Sequence, residues 1–248
     1  MNKRKVAVIV EGQTELFFVR DLLYLWYGYD ANRVGIACHQ LRGEKENIVP
    51  FSIGSLDDSE VFYRIIDVGG DGSVVSAIKR KYAQMYANLN YDLLIGLRDM
   101  FSAKYHSLAK GRHIDRSVNE SMIAMHNAQL PTDIAICSIK FAIMETEAWM
   151  LAMPGLLTRI DQRLTYGYIK HSLGCDLSED IEQTIYHPAS LFERILGLVG
   201  KKYDKDSEMV STITAQIDKQ ECLNLYNSNR CYSFHDFLLT LLGSDITV

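Results

Sequence analysis

The sequence has few of the signatures that identify common functional sites. Its five cysteines are widely spaced and form no C-x-x-C pair, so neither a zinc site nor a disulfide framework is indicated. Its histidines include no H-x-x-x-H pair. The absence of a G-x-S-x-G elbow argues against a serine hydrolase. A chain with this cysteine usage is expected in a reducing, cytoplasmic compartment.

Signals for a membrane or for broad nucleic-acid coating are also missing. The Met-Asn-Lys-Arg-Lys start has no apolar signal region, and the apolar run after it is too short to cross a membrane. The net charge of −5 argues against nonspecific coating of nucleic acid but leaves room for a local basic channel. A hydrophobic fraction of 48% predicts a globular protein.

Short apolar runs alternate with helical patterns in the first part of the chain. This order predicts an α/β protein with a mainly parallel sheet flanked by helices. After Pro154 the strand pattern fades, so we expect an α/β domain over 1–154 and a helical extension over 155–248 packed on it. The predicted strands are 6–10, 34–41, 61–68, 91–97 and 133–139.

The segments between these strands and after them have helix or loop character. A polar stretch over 42–59 predicts an exposed insertion, and 104–116 predicts a basic loop. The turn over 69–73 is glycine-rich, with Asp71 or Ser73 as the expected helix cap and phosphate binding as a weaker alternative. The main predicted helices are 16–27, 74–88, 156–164, 178–186, 188–199, 207–225 and 233–242.

Acidic residues follow three of the predicted strands. Glu11 ends the first strand with Glu15 behind it, Asp99 follows the fourth, and Glu145 and Glu147 follow the fifth. Because parallel strands bring their carboxyl ends to one edge of a sheet, we expect these acids to converge. Converging carboxylates repel one another unless a cation or a proton intervenes, which predicts a Mg²⁺ or Mn²⁺ site. The alternative is that each acid caps a helix or forms a surface pair.

These motifs together resemble the Toprim fold of topoisomerases, primases and OLD-type nucleases. The similarity is greater to bacterial Toprim-like proteins encoded beside SMC-type or ABC-type ATPases. It covers roughly residues 5 to 200. The segments that carry it are Val-Glu-Gly-Gln-Thr-Glu at 10–15, the glycine-rich turn at 69–73, Asp-Met-Phe-Ser at 99–102, the acid-rich helix start at 145–151 and Pro-Ala-Ser-Leu at 188–191.

The resemblance implies a metal-dependent nuclease that cleaves DNA or RNA. Glu11 would be the general acid/base or a metal ligand, and Asp99 would be the principal metal ligand. Glu15 and Glu147 would support a second metal. Two metals would polarise the phosphodiester and activate water. The resemblance also implies an SMC-type or ABC-type ATPase partner and a role in defence against phages or plasmids.

Two departures from the Toprim pattern support a different function. Phe101 stands where a second aspartate is expected and cannot bind a metal, so Glu145 or Glu147 would have to replace that ligand. The segment at 188–191 lacks its basic pair, although Arg194 follows shortly after. A noncatalytic Toprim-like binding or regulatory subunit is therefore the alternative to a nuclease.

A basic segment directly follows Asp99. Positive side chains beside a carboxylate site suit the phosphodiester backbone of DNA or RNA. The alternative is a solvated loop, because charged runs are often merely exposed. A third hypothesis is a small-molecule phosphoesterase or phosphotransferase that uses the same acidic edge, which a deep closed pocket would favour. The candidate nucleic-acid contacts are Lys104, Lys110, Arg112, His113 and Arg116.

Overall fold

A computed structural model describes residues 3–70, 72–131, 136–228 and 230–246. It confirms the predicted α/β class: a six-stranded, mostly parallel sheet in the order β3-β2-β4-β1-β5-β6 is flanked by helices. β1 pairs in parallel with β4 and β5, β2 pairs in parallel with β4, and β3 runs antiparallel to β2. The strands are β1 Arg4–Val10, β2 Val34–Arg42, β3 Lys45–Ile48, β4 Val61–Asp67, β5 Leu93–Asp99 and β6 Cys137–Ala142.

The apolar run of β1 places it in the middle of the sheet. All side chains from Val6 to Val10 are fully buried. A strand with a neighbour on each edge and cover on both faces needs no alternation of polar and apolar residues. Gly70 N donates to Glu11 O at 2.9 Å, so the segment after β1 is tied to the segment after β4.

Twelve α-helices are present in the described residues. A π-helical turn, Gln84–Asn88, extends α2, and a 3₁₀ turn, Gly243–Asp245, follows α12. Within 3–70, 72–131, 136–228 and 230–246, no helix has the length and apolar character needed to cross a membrane. The helices are α1 Gln13–Trp26, α2 Ser73–Ala83, α3 Ala103–Ala109, α4 Arg116–Asn127, α5 Glu147–Leu151, α6 Pro154–Ile160, α7 Tyr166–Leu173, α8 Ile181–Thr184, α9 Pro188–Gly197, α10 Ser207–Thr214, α11 Lys219–Tyr226 and α12 Tyr232–Leu242.

Several element boundaries differ from the sequence prediction. The predicted insertion at 42–59 contains β3, which extends the sheet. The predicted basic loop begins with helix α3, because Ser102 Oγ accepts a hydrogen bond from Tyr105 N and caps it. The predicted helix at 207–225 is two helices, because Asp218 caps a new one, α11.

Some predictions concern residues outside the described ranges, and others differ from the structure at a helix cap or in helix length. Residues 133–135, the start of the predicted fifth strand, lie outside them, as does Asp71. Ser73 is the first residue of α2, and Gly72 occupies the cap position, so the expectation that Ser73 caps this helix is wrong. Helix α7 was not predicted, and the helix predicted over 178–186 is reduced to α8.

The chain forms two compact units. The first comprises Met1–Arg98 and Met122–Lys140, and it contains β1 to β4 with most of β5 and β6. The second comprises Asp99–Ser121 and Phe141–Val248. In its core the Trp149 ring is stacked 5.4 Å from the Phe237 ring. The predicted domains, 1–154 and 155–248, stay a prediction.

Candidate functional site

Glu11 and Glu15 belong to the first unit. The Glu11 carboxylate lies 4.0 Å from Arg98 Nε, which is a loose ion pair rather than a hydrogen bond. Arg98 is buried, and its Nη1 lies 2.9 Å from His126 Nε2. Glu15 is 5% exposed on α1. The convergence of these two acids with those of the second unit stays a prediction.

Asp99 lies in the second unit at the end of β5. Its Oδ1 accepts hydrogen bonds from Thr146 N at 2.9 Å and from Thr146 Oγ1 at 3.0 Å. Thr146 is fully buried and stands at the cap position of α5. The Asp99 carboxylate therefore satisfies a backbone donor at the start of that helix, which is the role of a capping acid.

Glu145 is held by the start of α9. Its Oε2 accepts hydrogen bonds from His187 Nδ1 at 2.9 Å and from Ala189 N at 2.8 Å. The carboxylate thus meets the positive end of the α9 helix dipole. Met144, the preceding residue, has φ 66°, a left-handed conformation that side chains rarely adopt.

Glu147 is the most buried acid of the group, with no exposed surface. Its Oε1 accepts from Tyr203 Oη at 2.8 Å and lies 2.8 Å from Lys205 Nζ. Its Oε2 is buried and has no hydrogen-bond partner. A buried carboxylate needs a compensating charge, and Lys205 supplies one.

Lys205 is a lysine whose side chain is 43% exposed and whose ammonium pairs with Glu147. Burial opposes the charge on its ammonium, but attraction to Glu147, and then to Glu145 and Asp99, outweighs burial and raises the pKa of Lys205. Of the three predicted acids of the second unit, Glu147 contacts this lysine directly. We call Asp99, Glu145, Glu147 and Lys205 the acid–lysine cluster.

Phe101 packs beside this cluster. Its ring centroid lies 4.3 Å from that of His187, 4.8 Å from that of His106 and 5.7 Å from that of Tyr186. His187 is the residue that donates to Glu145. The aromatic side chain at the position of the expected second aspartate therefore supports the partner of Glu145.

The candidate nucleic-acid contacts lie on α3, on the segment after it and, for Arg116, at the start of α4. Lys104, Lys110, Arg112 and His113 are exposed. Lys110 has φ 52° and ends α3, so the chain turns sharply there. Arg116 pairs with Glu120 at 3.0 Å, but both side chains are largely exposed and such a pair contributes little to stability.

In the part of the chain that the structure describes, the predicted metal ligands of the second unit have other partners. Among the described residues, no group of three or more His, Cys, Asp or Glu side chains is placed so that it could hold a metal ion. The acids of the acid–lysine cluster fit an ammonium and backbone donors instead. All five cysteines are free, and burial raises the pKa of the Cys38 thiol to about 12, so this thiol is not a nucleophile at neutral pH.

A pocket of about 440 Å³ also lies in the second unit, at α6, α9 and α10. Its lining includes Arg159, Leu196, Met209 and Ile213 and contains none of the predicted site residues. This pocket therefore does not support the hypothesis that the acidic residues belong to a small-molecule phosphoesterase.

The sequence interpretation missed Lys205, Tyr203 and His187. Lys205 belongs to the run Lys-Lys-Tyr-Asp-Lys-Asp at 201–206, which has the composition of an exposed loop. Nothing local distinguishes this lysine from Lys201 or Lys202. His187 precedes Pro188, and a proline often occupies the first position of a helix. The sequence could therefore have indicated that His187 lies at a helix start.

Comparisons with known proteins give little further information. No protein-family model matches the chain, and no curated protein matches it. One solved structure, from a Lactobacillus plantarum WCFS1 protein described as a cell surface hydrolase, is similar at 8% identity and a TM-score of 0.32. The similarity covers 68% of this chain and 64% of that one.

Proposed function

We propose that this chain is a noncatalytic Toprim-like subunit that binds DNA or RNA through its exposed basic segment. The observation that carries the proposal is the occupancy of the predicted metal ligands. Asp99 is engaged by Thr146, Glu145 by His187 and Ala189, and Glu147 by Tyr203 and Lys205. Carboxylates with these partners stabilise the second unit and need no divalent cation.

The basic segment supports the binding part of the proposal. Lys110, Arg112 and His113 are exposed within four consecutive positions. Among the described residues, no carboxylate forms an ion pair with Lys110 or Arg112 within the usual 4 Å. Unpaired exposed cations lose little when they approach a phosphate, and each contact releases counterions from the nucleic acid.

The family resemblance suggests how such a subunit works. An SMC-type or ABC-type ATPase would supply the energy-dependent step, and this chain would supply a nucleic-acid contact. A role in defence against phages or plasmids belongs to the same proposal. It rests on the resemblance alone, and isolation of a stable complex with a neighbouring ATPase would support it.

Charge reversal tests the binding surface. We expect the double variant Lys110→Glu and Arg112→Glu to bind fluorescent DNA or RNA at least about tenfold more weakly than the wild type at low salt. The slope of log K against log salt should fall by about 0.9 per lost phosphate contact. Fluorescence anisotropy over a range of salt concentrations measures both quantities.

Lys170→Glu is the matched control, because Lys170 is an exposed lysine of the same unit that already pairs with Asp176. This variant should bind as the wild type does. Equal affinities for all three proteins, or no binding by the wild type to any nucleic acid, would refute the proposed surface.

A metal-dependent nuclease is the second candidate function. The observation that favours it is the buried Glu147 Oε2, which has no hydrogen-bond partner. An oxygen in this position is normally satisfied by a cation, a proton or a donor. Cleavage of DNA or RNA by the wild type with Mg²⁺ or Mn²⁺, lost in Asp99→Ala and in Glu11→Gln, would establish this candidate.

A further inference from the structure

Three aromatic side chains on α11 and α12 of the second unit lie with their rings almost parallel. The rings of Tyr226 and His235 are stacked, with centroids 4.3 Å apart and an interplanar angle of 6°. The Tyr232 ring lies 6.4 Å from the His235 ring at an interplanar angle of 13°. These side chains therefore form a set of flat faces with one common orientation.

The middle ring of this set is held by the backbone. His235 Nδ1 donates to Tyr226 O at 2.9 Å, so the imidazole is fixed both by this hydrogen bond and by its stacking on the Tyr226 ring. Because Nδ1 carries the hydrogen, the neutral imidazole keeps Nε2 as a hydrogen-bond acceptor.

Tyr232 has an exposed side chain on an anchored backbone. Its side chain is 74% exposed. On one side of it Cys231 N donates to Asp180 Oδ1 at 3.2 Å, and on the other Ser233 N donates to Glu182 Oε2 at 3.0 Å. A ring on a backbone held in this way loses little further freedom when a ligand packs against it.

A cavity of about 390 Å³ adjoins these rings. No aliphatic side chain among the described residues lines it. The exposed Asn227 amide supplies both a donor and an acceptor. Flat rings beside an amide suit a planar ligand with hydrogen-bonding groups on its edge, and a nucleobase has this chemistry. The lining residues are Tyr226, Asn227, Ser228, Tyr232 and His235.

We propose that this cavity holds one base of single-stranded DNA or RNA, stacked on Tyr232. The bases of a duplex are paired and stacked on one another, whereas those of a single strand can turn outward onto an aromatic side chain. The inference rests on the proposed binding of nucleic acid and adds a base contact that only single strands can make.

The test compares wild type, Tyr232→Ala and Tyr232→Phe by fluorescence anisotropy with a labelled single strand and with a duplex of the same sequence. Tyr232→Ala should bind the single strand at least about fivefold more weakly, the loss expected for one stacked base, and the duplex as the wild type does. Its slope of log K against log salt should equal that of the wild type, because stacking releases no counterions. Tyr232→Phe keeps the ring and should bind as the wild type does.

Tyr168→Ala is the matched control, because Tyr168 is an exposed tyrosine on α7 of the same unit and does not line the cavity. It should bind both substrates as the wild type does. Unchanged single-strand binding by Tyr232→Ala, with a salt slope that still falls in the Lys110→Glu and Arg112→Glu variant, would overturn this inference and leave the proposed function intact. A wild type that binds no nucleic acid would overturn both.

A second measurement does not depend on how the variants fold. The wild type should bind an abasic single strand of the same length at least about fivefold more weakly than the strand with bases, and equal affinities would overturn the inference. Self-association of the wild type that Tyr232→Ala abolishes, with strand binding unchanged, would assign Tyr232 to a protein interface and would also overturn it.

Discussion

Glu182 is a buried carboxyl that links three parts of the second unit. It accepts hydrogen bonds from Ser233 N at 3.0 Å and from Trp149 Nε1 at 3.2 Å, and it is also bonded to the Ser233 hydroxyl. Burial raises the pKa of Glu182 to about 7, because the loss of hydration outweighs the hydrogen bonds that favour the charged form. At neutral pH this group is poised between its two protonation states.

The raised pKa of Glu182 predicts a pH-dependent stability. Between about pH 4.5 and pH 7 the native state holds a proton that the unfolded state has lost, so the free energy of unfolding should fall as pH rises through this window. The largest expected loss is about 3 kcal/mol. Urea unfolding at several pH values, compared with Glu182→Gln, measures it. A variant with the same pH dependence as the wild type would contradict this assignment.

The sequence identified the acidic side chains of the site but not their partners. Asp99, Glu145 and Glu147 follow strand ends, and strand ends are recognisable from the apolar runs before them. Lys205 lies more than 50 positions later in a charged run, and its contact with Glu147 arises only from packing in the second unit. The position of an acid at a strand end can be predicted from the local sequence pattern. The partner of that acid, when it lies this far along the chain, can be identified only from the fold.

At the scale of single elements, β3 is fixed to the sheet by charge. Its Glu46 accepts from His39 Nδ1 at 2.9 Å and from Lys81 Nζ at 2.6 Å, and it is also bonded to Arg64. These three partners lie on β2, α2 and β4. Burial alone would raise the pKa of Glu46, but hydrogen bonds from His39 and Lys81 and the charge of Arg64 hold it well below its usual range.

Removal of this charge should weaken the edge of the sheet. Glu46→Gln leaves the partly buried Arg64 and Lys81 without a counter-charge, and we expect a loss of about 2 kcal/mol in the free energy of unfolding at pH 7. Glu44→Gln, at an exposed position in the preceding turn, is the control and should change it little.

The pH dependence of the Glu46 effect has a definite sign. Because the pKa of Glu46 is depressed in the folded state, its contribution is fully present above about pH 4.5 and is lost as pH falls. The difference between wild type and Glu46→Gln should therefore shrink in acid. Equal stabilities of the two proteins at pH 7 would show that the cluster contributes nothing.

The central strands were predictable and the edge strand was not. β1 is apolar throughout because it is buried on both faces, and that pattern is visible in the sequence. β3 is Lys-Glu-Asn-Ile, with no apolar alternation, and it pairs with β2 over only four residues. The pairing of β3 depends on partners in other strands, and the composition of β3 itself does not reveal them.

At the scale of the whole molecule, both units are built from separate segments of the chain. Residues 99–121 belong with 141–248, and 122–140 belong with the first 98 residues. Near Pro154 the sequence pattern changes from alternating strands and helices to helices alone. The predicted boundary between 1–154 and 155–248 depends on this local change. Burial of Trp149 and Met150 within the second unit depends instead on later helices, as the stacked Phe237 shows.

The proposed function requires that Glu147 holds Lys205 and that nucleic-acid binding needs no divalent metal. The most direct test measures anisotropy of labelled single-stranded and double-stranded DNA and RNA in EDTA and in millimolar Mn²⁺, and then runs the same samples on denaturing gels. We predict equal affinity in both conditions and intact substrate throughout. Cleavage that requires Mn²⁺ and disappears in Asp99→Ala would contradict the proposed function.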